Sequence, residues 1–249
     1  IAIPAWKIMP ALICGNTVVF KPSSDTPLCA VEFVKLLERA GVPKGVVNLV
    51  MGSGKELGDV LLQSSVVQGI SFTGSKATGE YIVSHAGLKK VGLELGGKNP
   101  IIVMDDANLD LAVEGILWGG FGTTGQRCTA ASRVIVHKKI KRKLEKMLLK
   151  RIRKLRLGSG LEKRSDVGPL INAKAVEKSV EYSTIGKKEG AKLLCGGKVA
   201  KLQGHYFMPT LFTNVKPTMR LAQEEIFGPV VSLIPVKNLK EAITVANDV

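Results

Sequence analysis

The sequence predicts an α/β protein built around a parallel β-sheet, with a second α/β region after the first. Three observations lead to this prediction. Short runs of β-branched residues alternate with longer helical patterns through the first hundred residues, as they do in βαβ units. Glycines mark the turns that follow several of these runs. The chain of 249 residues, 45% of them hydrophobic, is also large enough to bury a substantial core.

The predicted elements of the first region alternate strand with helix. Pro27 suits the first turn of a helix, because its ring fixes φ and no N–H partner is needed there. Gly41 suits the position just after a helix end. In order, we expect a strand at 17–20, a helix at 27–38, a strand at 46–50, a helix at 55–62, a strand at 69–72, a helix at 75–85, and strands at 91–95 and 100–104.

Two consecutive glycines, Gly96 and Gly97, interrupt this alternation. We therefore predict a boundary between two domains there, with residues 1–95 in the first and 96–249 in the second. The second region is predicted to contain a helix at 109–118, a Gly/Thr-rich loop ending at Cys128, a strand at 133–136, a basic helix within 138–156, a helix at 173–189, a strand at 230–236 and a helix at 239–246.

The net charge of +15 arises from 36 Lys and Arg against 21 Asp and Glu, and the basic residues concentrate in 138–143 and 150–156. Apolar residues recur there at helical spacing, which indicates an amphipathic helix with a solvated basic face. They are Ile140, Leu144, Met147, Leu148 and Ile152. A nucleic-acid binder is the alternative, but no aromatic residues that would stack on bases interleave the charges. We expect no nucleic-acid partner.

The sequence also predicts where in the cell the protein is located. No apolar run approaches the ~20 residues of a membrane-spanning helix, and the opening residues lack the order of a signal peptide. We therefore expect a cytoplasmic protein with no membrane partner. The cysteines are too irregularly spaced to indicate a metal site or a disulfide framework. The chain starts at Ile1, inside an apolar run, as expected of a fragment.

Two glycine-containing turns after predicted strands are candidates for phosphate binding. Residues 52–58 read Gly-Ser-Gly-Lys-Glu-Leu-Gly, and residues 72–75 read Phe-Thr-Gly-Ser. Such turns present backbone N–H groups at a helix N-terminus, where a pyrophosphate binds well. Either turn alone is equally compatible with an ordinary turn. Lys21, just after the first strand, suits a ribose or 2′-phosphate contact and equally a solvated lysine.

A cysteine and a glutamate are the candidate reactive residues. Cys128 lies in the predicted loop beside Arg127, whose charge would favour the thiolate that attacks a carbonyl. The alternative is a small core residue, as most cysteines are. Glu94 lies in an apolar strand, where burial makes a carboxylate costly unless it is paired or works as a base. An ion pair with a lysine is the alternative for Glu94.

Five ordered motifs together resemble the aldehyde dehydrogenase superfamily over essentially the whole chain. They are Phe20-Lys-Pro-Ser-Ser24, Phe72-Thr-Gly-Ser75, Glu94-Leu-Gly-Gly-Lys-Asn-Pro100, Gly125-Gln-Arg-Cys128 and Glu224-Glu-Ile-Phe-Gly-Pro229. The 34-residue interval between Glu94 and Cys128 is also similar to that of the family. The resemblance implies a Rossmann-like NAD(P)-binding domain, of which residues 1–95 form the C-terminal part, followed by an incomplete catalytic domain.

The resemblance also implies a mechanism. The thiolate of Cys128 adds to an aldehyde, the Cys128 backbone N–H and a side-chain amide hold the oxyanion, and Glu94 deprotonates the water that hydrolyses the thioester. No metal is implied. The predicted contacts to NAD or NADP are Lys21 on the ribose, Ser75 on the pyrophosphate, Glu225 and Phe227 at the nicotinamide, and further Ser23, Ser24, Gly54, Gly58, Phe72, Thr73, Gly74, Leu95 and Gly96.

Two departures from the family pattern affect these expectations. The oxyanion asparagine of the family belongs to a segment that would come just before Ile1. Where NAD-preferring relatives carry a glutamate, this chain has Ser24, which leaves room for the 2′-phosphate of NADP. Asp25 beside it keeps the choice between NAD and NADP open.

Within the superfamily, the motifs most resemble the non-phosphorylating glyceraldehyde-3-phosphate, semialdehyde and dioxovalerate dehydrogenases. The full-length protein is expected to be a homodimer or homotetramer. Two alternatives are a truncated, non-catalytic fragment that keeps the fold, and an acylating relative that uses coenzyme A. The presence of Cys128, Glu94 and Glu225 argues against the first. Glu94 argues against the second, because transfer to coenzyme A needs no base that activates water.

Overall fold

Helices and mainly parallel strands alternate along the chain in the computed structural model, which describes residues 1–249. The predicted α/β class is thereby confirmed. The internal contacts divide the chain into two units, Ile1–Leu95 and Gly96–Val249. The division falls at the glycine pair that interrupts the alternation in the sequence. The assignment of cofactor binding to the first unit and of catalysis to the second remains a prediction.

The first unit contains two separate pairs of parallel strands, β1 with β2 and β3 with β4. Its opening helix was not among the predicted elements, and it contains Pro10 in its interior, where proline disfavours a helix. The elements are α1 (Ala2–Ile13), β1 (Val18–Phe20), α2 (Pro27–Arg39), β2 (Val47–Leu49), α3 (Gly54–Gln63), β3 (Gly69–Gly74), α4 (Lys76–His85) and β4 (Lys90–Leu95).

The second unit contains one five-stranded sheet in the order β5-β6-β9-β8-β7. Only the pairing of β7 with β8 is antiparallel. The elements are β5 (Asn99–Val103), α5 (Leu109–Phe121), β6 (Ala131–His137), α6 (Lys141–Ile152), α7 (Ala173–Lys188), β7 (Lys192–Cys195), β8 (Thr210–Thr213), α8 (Arg220–Gln223), β9 (Val230–Val236) and α9 (Leu239–Asn247).

The sheet of the second unit has a hydrophobic cluster on each face. Successive side chains of β6 point to opposite faces, so Ile135 joins one cluster while Val134 and Val136 join the other. Helix α6 contributes Leu144 and Leu148 to the second cluster. Both leucines are fully buried, and the amphipathic basic helix predicted from the sequence is therefore confirmed.

The sequence did not predict β7, β8 or α8. Each is four residues long, and all four residues of β8 are buried. A run of four residues is too short for its periodicity to distinguish a strand from a helix or a loop, whereas the similarly buried β6 and β9 are seven residues long. None of the helices of the chain combines the length and apolarity that crossing a membrane requires.

Candidate active site

Cys128 lies in the loop that joins α5 to β6, and its side chain is exposed. The alternative of a small core cysteine is therefore wrong. The backbone N–H of Cys128 donates no hydrogen bond within the chain, whereas the N–H of Ala130 donates to the carbonyl of Arg127 at 3.0 Å and closes a tight turn around the cysteine. A nucleophilic thiol and a free N–H donor thus lie on the same residue.

Close backbone packing holds the preceding part of this loop. Gly125 has a φ of +68°, and a Cβ atom there would overlap the carbonyl of Gly228, so only glycine fits. Gln126 anchors the loop from the other side. Its Nε2 donates to the carbonyl of Pro169 at 3.2 Å, and its Oε1 accepts from the N–H of Ile171 at 2.9 Å.

Arg127 is directed to an aromatic ring. Its guanidinium carbon lies 5.3 Å from the centroid of Trp118, a distance typical of a cation–π contact. Its Nε is buried without a hydrogen-bond partner. The sequence suggested that this charge acts on the thiol of Cys128, and the structure gives the guanidinium Trp118 as its partner instead.

The structure brings Glu225 against the glycine pair at the start of the second unit. Oε1 of Glu225 accepts from the N–H of Gly97 at 3.3 Å, and a Cβ on Gly96 would overlap the same carboxylate. Phe227 adopts a φ of +59°, which is strained for an aromatic residue, and the residue is 42% exposed. A narrow cleft lies beside these groups and is also lined by Gly125 and other residues of the thiol loop, which comprises residues 122–130 and carries Cys128.

Two side chains fix Glu224, the residue just before Glu225. Arg220 donates to both oxygens of Glu224 at 2.8 Å, and the hydroxyl of Tyr182 donates to the same carboxylate. The guanidinium of Arg220 holds the pKa of Glu224 below its usual range, while burial and this carboxylate raise the pKa of Tyr182 to about 12. Glu225 is thereby attached to a well-anchored segment.

Lys98, in the motif that contains Glu94, was not among the predicted site residues. The residue is only 4% exposed, and its Nζ is buried without a hydrogen-bond partner. Burial lowers the pKa of Lys98 to about 7, the positive charge of Arg133 acts in the same direction, and the carboxylate of Glu225 opposes the shift. Arg133 also donates to the carbonyl of Lys98 at 2.7 Å. A buried lysine therefore comes directly after Gly97, whose N–H donates to Glu225.

Glu94 lies in β4 of the first unit, in register with Thr73 of β3. It is exposed, on the same strand face as Lys90 and Gly92, because β4 alternates exposed and partly buried residues. The expectation that the apolar strand buries Glu94 is thus wrong. The alternative of an ion pair with a lysine is also wrong, since the carboxylate of Glu94 forms neither an ion pair nor a hydrogen bond. Its role as the base remains a prediction.

The turn at 72–75 meets the N-terminus of α4. Ser75 caps the helix, with its Oγ accepting from the N–H of Thr78 at 3.3 Å. The hydroxyl of Thr73 is buried without a partner, and a Cβ on Gly74 would overlap the ring of Phe72. The exposed N-terminus of α4 suits a phosphate group of a cofactor, whereas the hydroxyl of Thr73 has no accessible surface from which to contact one.

The other predicted cofactor residues of the first unit have local partners or open surroundings. Nζ of Lys21 donates to the carbonyl of the following Pro22 at 2.6 Å, and Ser24 is exposed, as is Ser23. A Cβ on Gly54 or on Gly58 would meet no neighbouring atom. Leu95 ends β4 and packs against Gly79. The cofactor contacts of these residues remain predictions. No group of three or more His, Cys, Asp or Glu side chains is arranged to hold a metal ion.

Comparison with known proteins gives the class of the chain. The model of the "Aldehyde dehydrogenase family" matches residues 1–249, and the chain belongs to this family. It is 45% identical to 2,5-dioxopentanoate dehydrogenase of Saccharolobus solfataricus, and the alignment covers 100% of the chain and 53% of that protein. It is 44% identical to the α-ketoglutaric semialdehyde dehydrogenase of Bacillus subtilis, with 100% and 52% covered.

A solved structure is similar at the level of the fold. The betaine aldehyde dehydrogenase of Staphylococcus aureus in complex with NAD⁺ matches with a TM-score of 0.96 and 42% identity, over 98% of this chain and 50% of that one. The chain thus spans about half the length of the relatives that it matches.

Proposed function

We propose that the protein containing this chain oxidises an aldehyde to a carboxylic acid with NAD or NADP, through a covalent intermediate on Cys128. The observation that supports this proposal most is the exposed thiol of Cys128 beside its own unpartnered N–H, in a chain of the aldehyde dehydrogenase family. A nucleophile and an oxyanion donor on one residue are what addition to a carbonyl requires.

In the first step, the thiolate sulfur of Cys128 forms a bond to the carbonyl carbon, and the π electrons of the carbonyl move to its oxygen. The backbone N–H of Cys128 donates to this oxyanion. The product is a tetrahedral thiohemiacetal on the sulfur. The fixed backbone of Gly125 and the clamp of Gln126 keep the donor and the sulfur in place without reorganisation during the reaction.

NAD or NADP, when bound, supplies the acceptor for the hydride that leaves the thiohemiacetal carbon. In the first unit, Lys21 and Ser75 would hold its ribose and phosphates, since the N-terminus of α4 favours an anion. In the second unit, Glu225 and Phe227 would hold the nicotinamide end. Oxidation leaves a thioester on Cys128.

The thioester is then hydrolysed. Glu94 removes a proton from a water molecule, the resulting hydroxide attacks the thioester carbon, and the carbon–sulfur bond breaks to release the acid and the thiolate. The carboxylate of Glu94 is exposed and unpaired, so water reaches it and no lysine competes for it. Convergence of Glu94 and Cys128 on one reaction centre is part of the proposal.

We further propose an aldehyde that carries a carboxylate as the substrate class. Two relatives, at 45% and 44% identity, are named for 2,5-dioxopentanoate and α-ketoglutaric semialdehyde. The net charge of +15 would attract an anionic substrate. A betaine aldehyde dehydrogenase of Brucella anthropi is 44% identical as well, so betaine aldehyde is the competing substrate in the test.

The test compares two exposed cysteines in the full-length protein. Cys128→Ala should lower the rate of NAD(P)H formation by about 10³-fold or more, because the covalent route is lost, while cofactor binding persists. Cys29→Ala, which also removes an exposed thiol, should leave the rate unchanged. Retained oxidation in Cys128→Ala would contradict the proposed function. Formation of acyl-coenzyme A in place of the acid, with steady NAD(P)H production only after addition of coenzyme A, would favour the acylating alternative.

A further inference from the structure

The carboxamide of Asn99 spans two carbonyls of the thiol loop. Nδ2 of Asn99 donates to the carbonyl of Cys128 at 2.5 Å and to that of Ala130 at 3.2 Å. Asn99 is the first residue of β5, 29 residues before the cysteine. This single side chain therefore attaches the loop that carries Cys128 to β5, an edge strand of the five-stranded sheet.

The position of a thiol depends on the two peptide planes that flank its Cα atom. The carbonyl of Arg127, in the plane before Cys128, accepts from the N–H of Ala130 at 3.0 Å. The carbonyl of Cys128, in the plane after it, accepts from Asn99. With both planes held, φ and ψ of Cys128 are restrained, and so are the directions of its Cβ and of its N–H. Only the second plane depends on a side chain distant in sequence.

The backbone cannot supply the bonds that Asn99 provides. The ladder between β5 and β6 is irregular here: Asn99 is in register with Ala131, but Pro100 with Arg133. Pro100 has no N–H to donate. The side-chain amide of Asn99 thus takes the place of missing ladder donors at the end of the sheet nearest the thiol.

We propose that Asn99 is a positioning residue that holds the thiol and the N–H of Cys128 in the geometry required for addition to the aldehyde. The inference rests on the proposed function. Asn99 does not touch the reacting atoms and acts through the carbonyl of Cys128. An amide is required because both of its partners are acceptors, so an isosteric carboxylate would set oxygen against two carbonyl oxygens.

The test measures the burst of reduced cofactor in the full-length protein, per Cys128 accessible to iodoacetamide. Asn99→Asp should lower the burst rate constant about 100-fold, because displacement by roughly 1 Å has such an effect, with the KM for cofactor within twofold of wild type. Asn247→Asp is the matched control. Asn247 donates by the same atom to one carbonyl, that of Ile243 at 3.0 Å, and this substitution should leave the burst unchanged.

Asn99→Ala separates positioning from charge and from folding. It removes both donors without adding a carboxylate, and should slow the burst roughly 10- to 100-fold while the melting temperature falls only a few degrees. A burst within threefold of wild type in Asn99→Ala, together with an inactive Cys128→Ala, would overturn the role of Asn99 and leave the proposed function standing. Activity retained in Cys128→Ala would overturn both.

Discussion

The two units of the chain differ in how they hold the residues predicted to act. Of the 39 buried apolar residues, 33 lie in Gly96–Val249 and six in Ile1–Leu95. The second unit builds one five-stranded sheet between two hydrophobic clusters, whereas the first has two separate strand pairs. The thiol loop is thus attached to the more densely packed unit.

The two units also differ in the hydrogen bonds that hold their candidate site residues. The thiol loop is held by bonds from residues distant in sequence, Asn99 and the 169–171 segment. In the first unit, Lys21 and Ser75 bond to residues within three positions of themselves. Covalent addition requires a nucleophile placed within a fraction of an ångström, whereas a helix N-terminus attracts a phosphate by its field without such precise packing.

Among the following variants, the largest effect is expected at Glu94, and it tests whether this exposed carboxylate acts as the general base. Glu94→Gln should keep one burst of reduced cofactor and lower the steady rate by about 10²- to 10⁴-fold, since a general base contributes that much. The melting temperature should not change, because Glu94 has no bonded partner to lose. Stopped-flow and steady-state assays of the same preparation measure both phases. An unaltered steady rate would mean that another group activates the water.

The next effect concerns packing. Leu233→Ala, at a fully buried position of β9, should lower the free energy of unfolding by about 4 kcal/mol, because a cavity remains in a packed sheet. Leu62→Ala, in the small cluster with Ile82 and Ala86, should cost only about 2 kcal/mol. Denaturant unfolding of both variants gives the two values. Equal losses would remove the contrast in packing between the units.

Lys98 provides a test within the densely packed unit. Its folded pKa of about 7 lies below its ordinary value of 10.5, so the unfolded chain binds the proton between these two pH values and the folded chain does not. The free energy of unfolding therefore rises as the pH increases through this window.

Lys98→Met should remove that rise and stabilise the protein at pH 7 and below by roughly 3 kcal/mol, since an unpaired buried charge is lost. Chemical unfolding of the variant and of wild type between pH 6 and pH 10 measures how the free energy of unfolding depends on pH. A variant less stable than wild type at pH 6 would show that the ammonium is satisfied in the folded protein.

The smallest expected effect concerns cofactor choice at the surface of the first unit. Ser24→Glu should raise the KM for NADP about tenfold by repulsion of the 2′-phosphate, and should change the KM for NAD by less than threefold. Ser65→Glu, which adds the same charge at another exposed position of this unit, serves as the control. An equal change in both cofactors would exclude a contact between residue 24 and the ribose.

The sequence by itself determined the α/β class, the family and most of the helices and strands, because these follow from periodicity and from motifs a few residues long. Glycine and proline signals and the apolar spacing of α6 are local properties of the chain. The thiol loop was recognised in the same way, from the Gly125–Cys128 motif.

Only the tertiary structure decided which neighbours these residues meet. The exposure of Glu94, the contact of Arg127 with Trp118 and the bonds from Asn99 to the thiol loop depend on strand pairing and on residues distant in the chain. The strand β8 escaped prediction because four residues are too few for a periodic pattern to be recognised. Burial and hydrogen-bond partners are properties of packing, and no local pattern of residues encodes them.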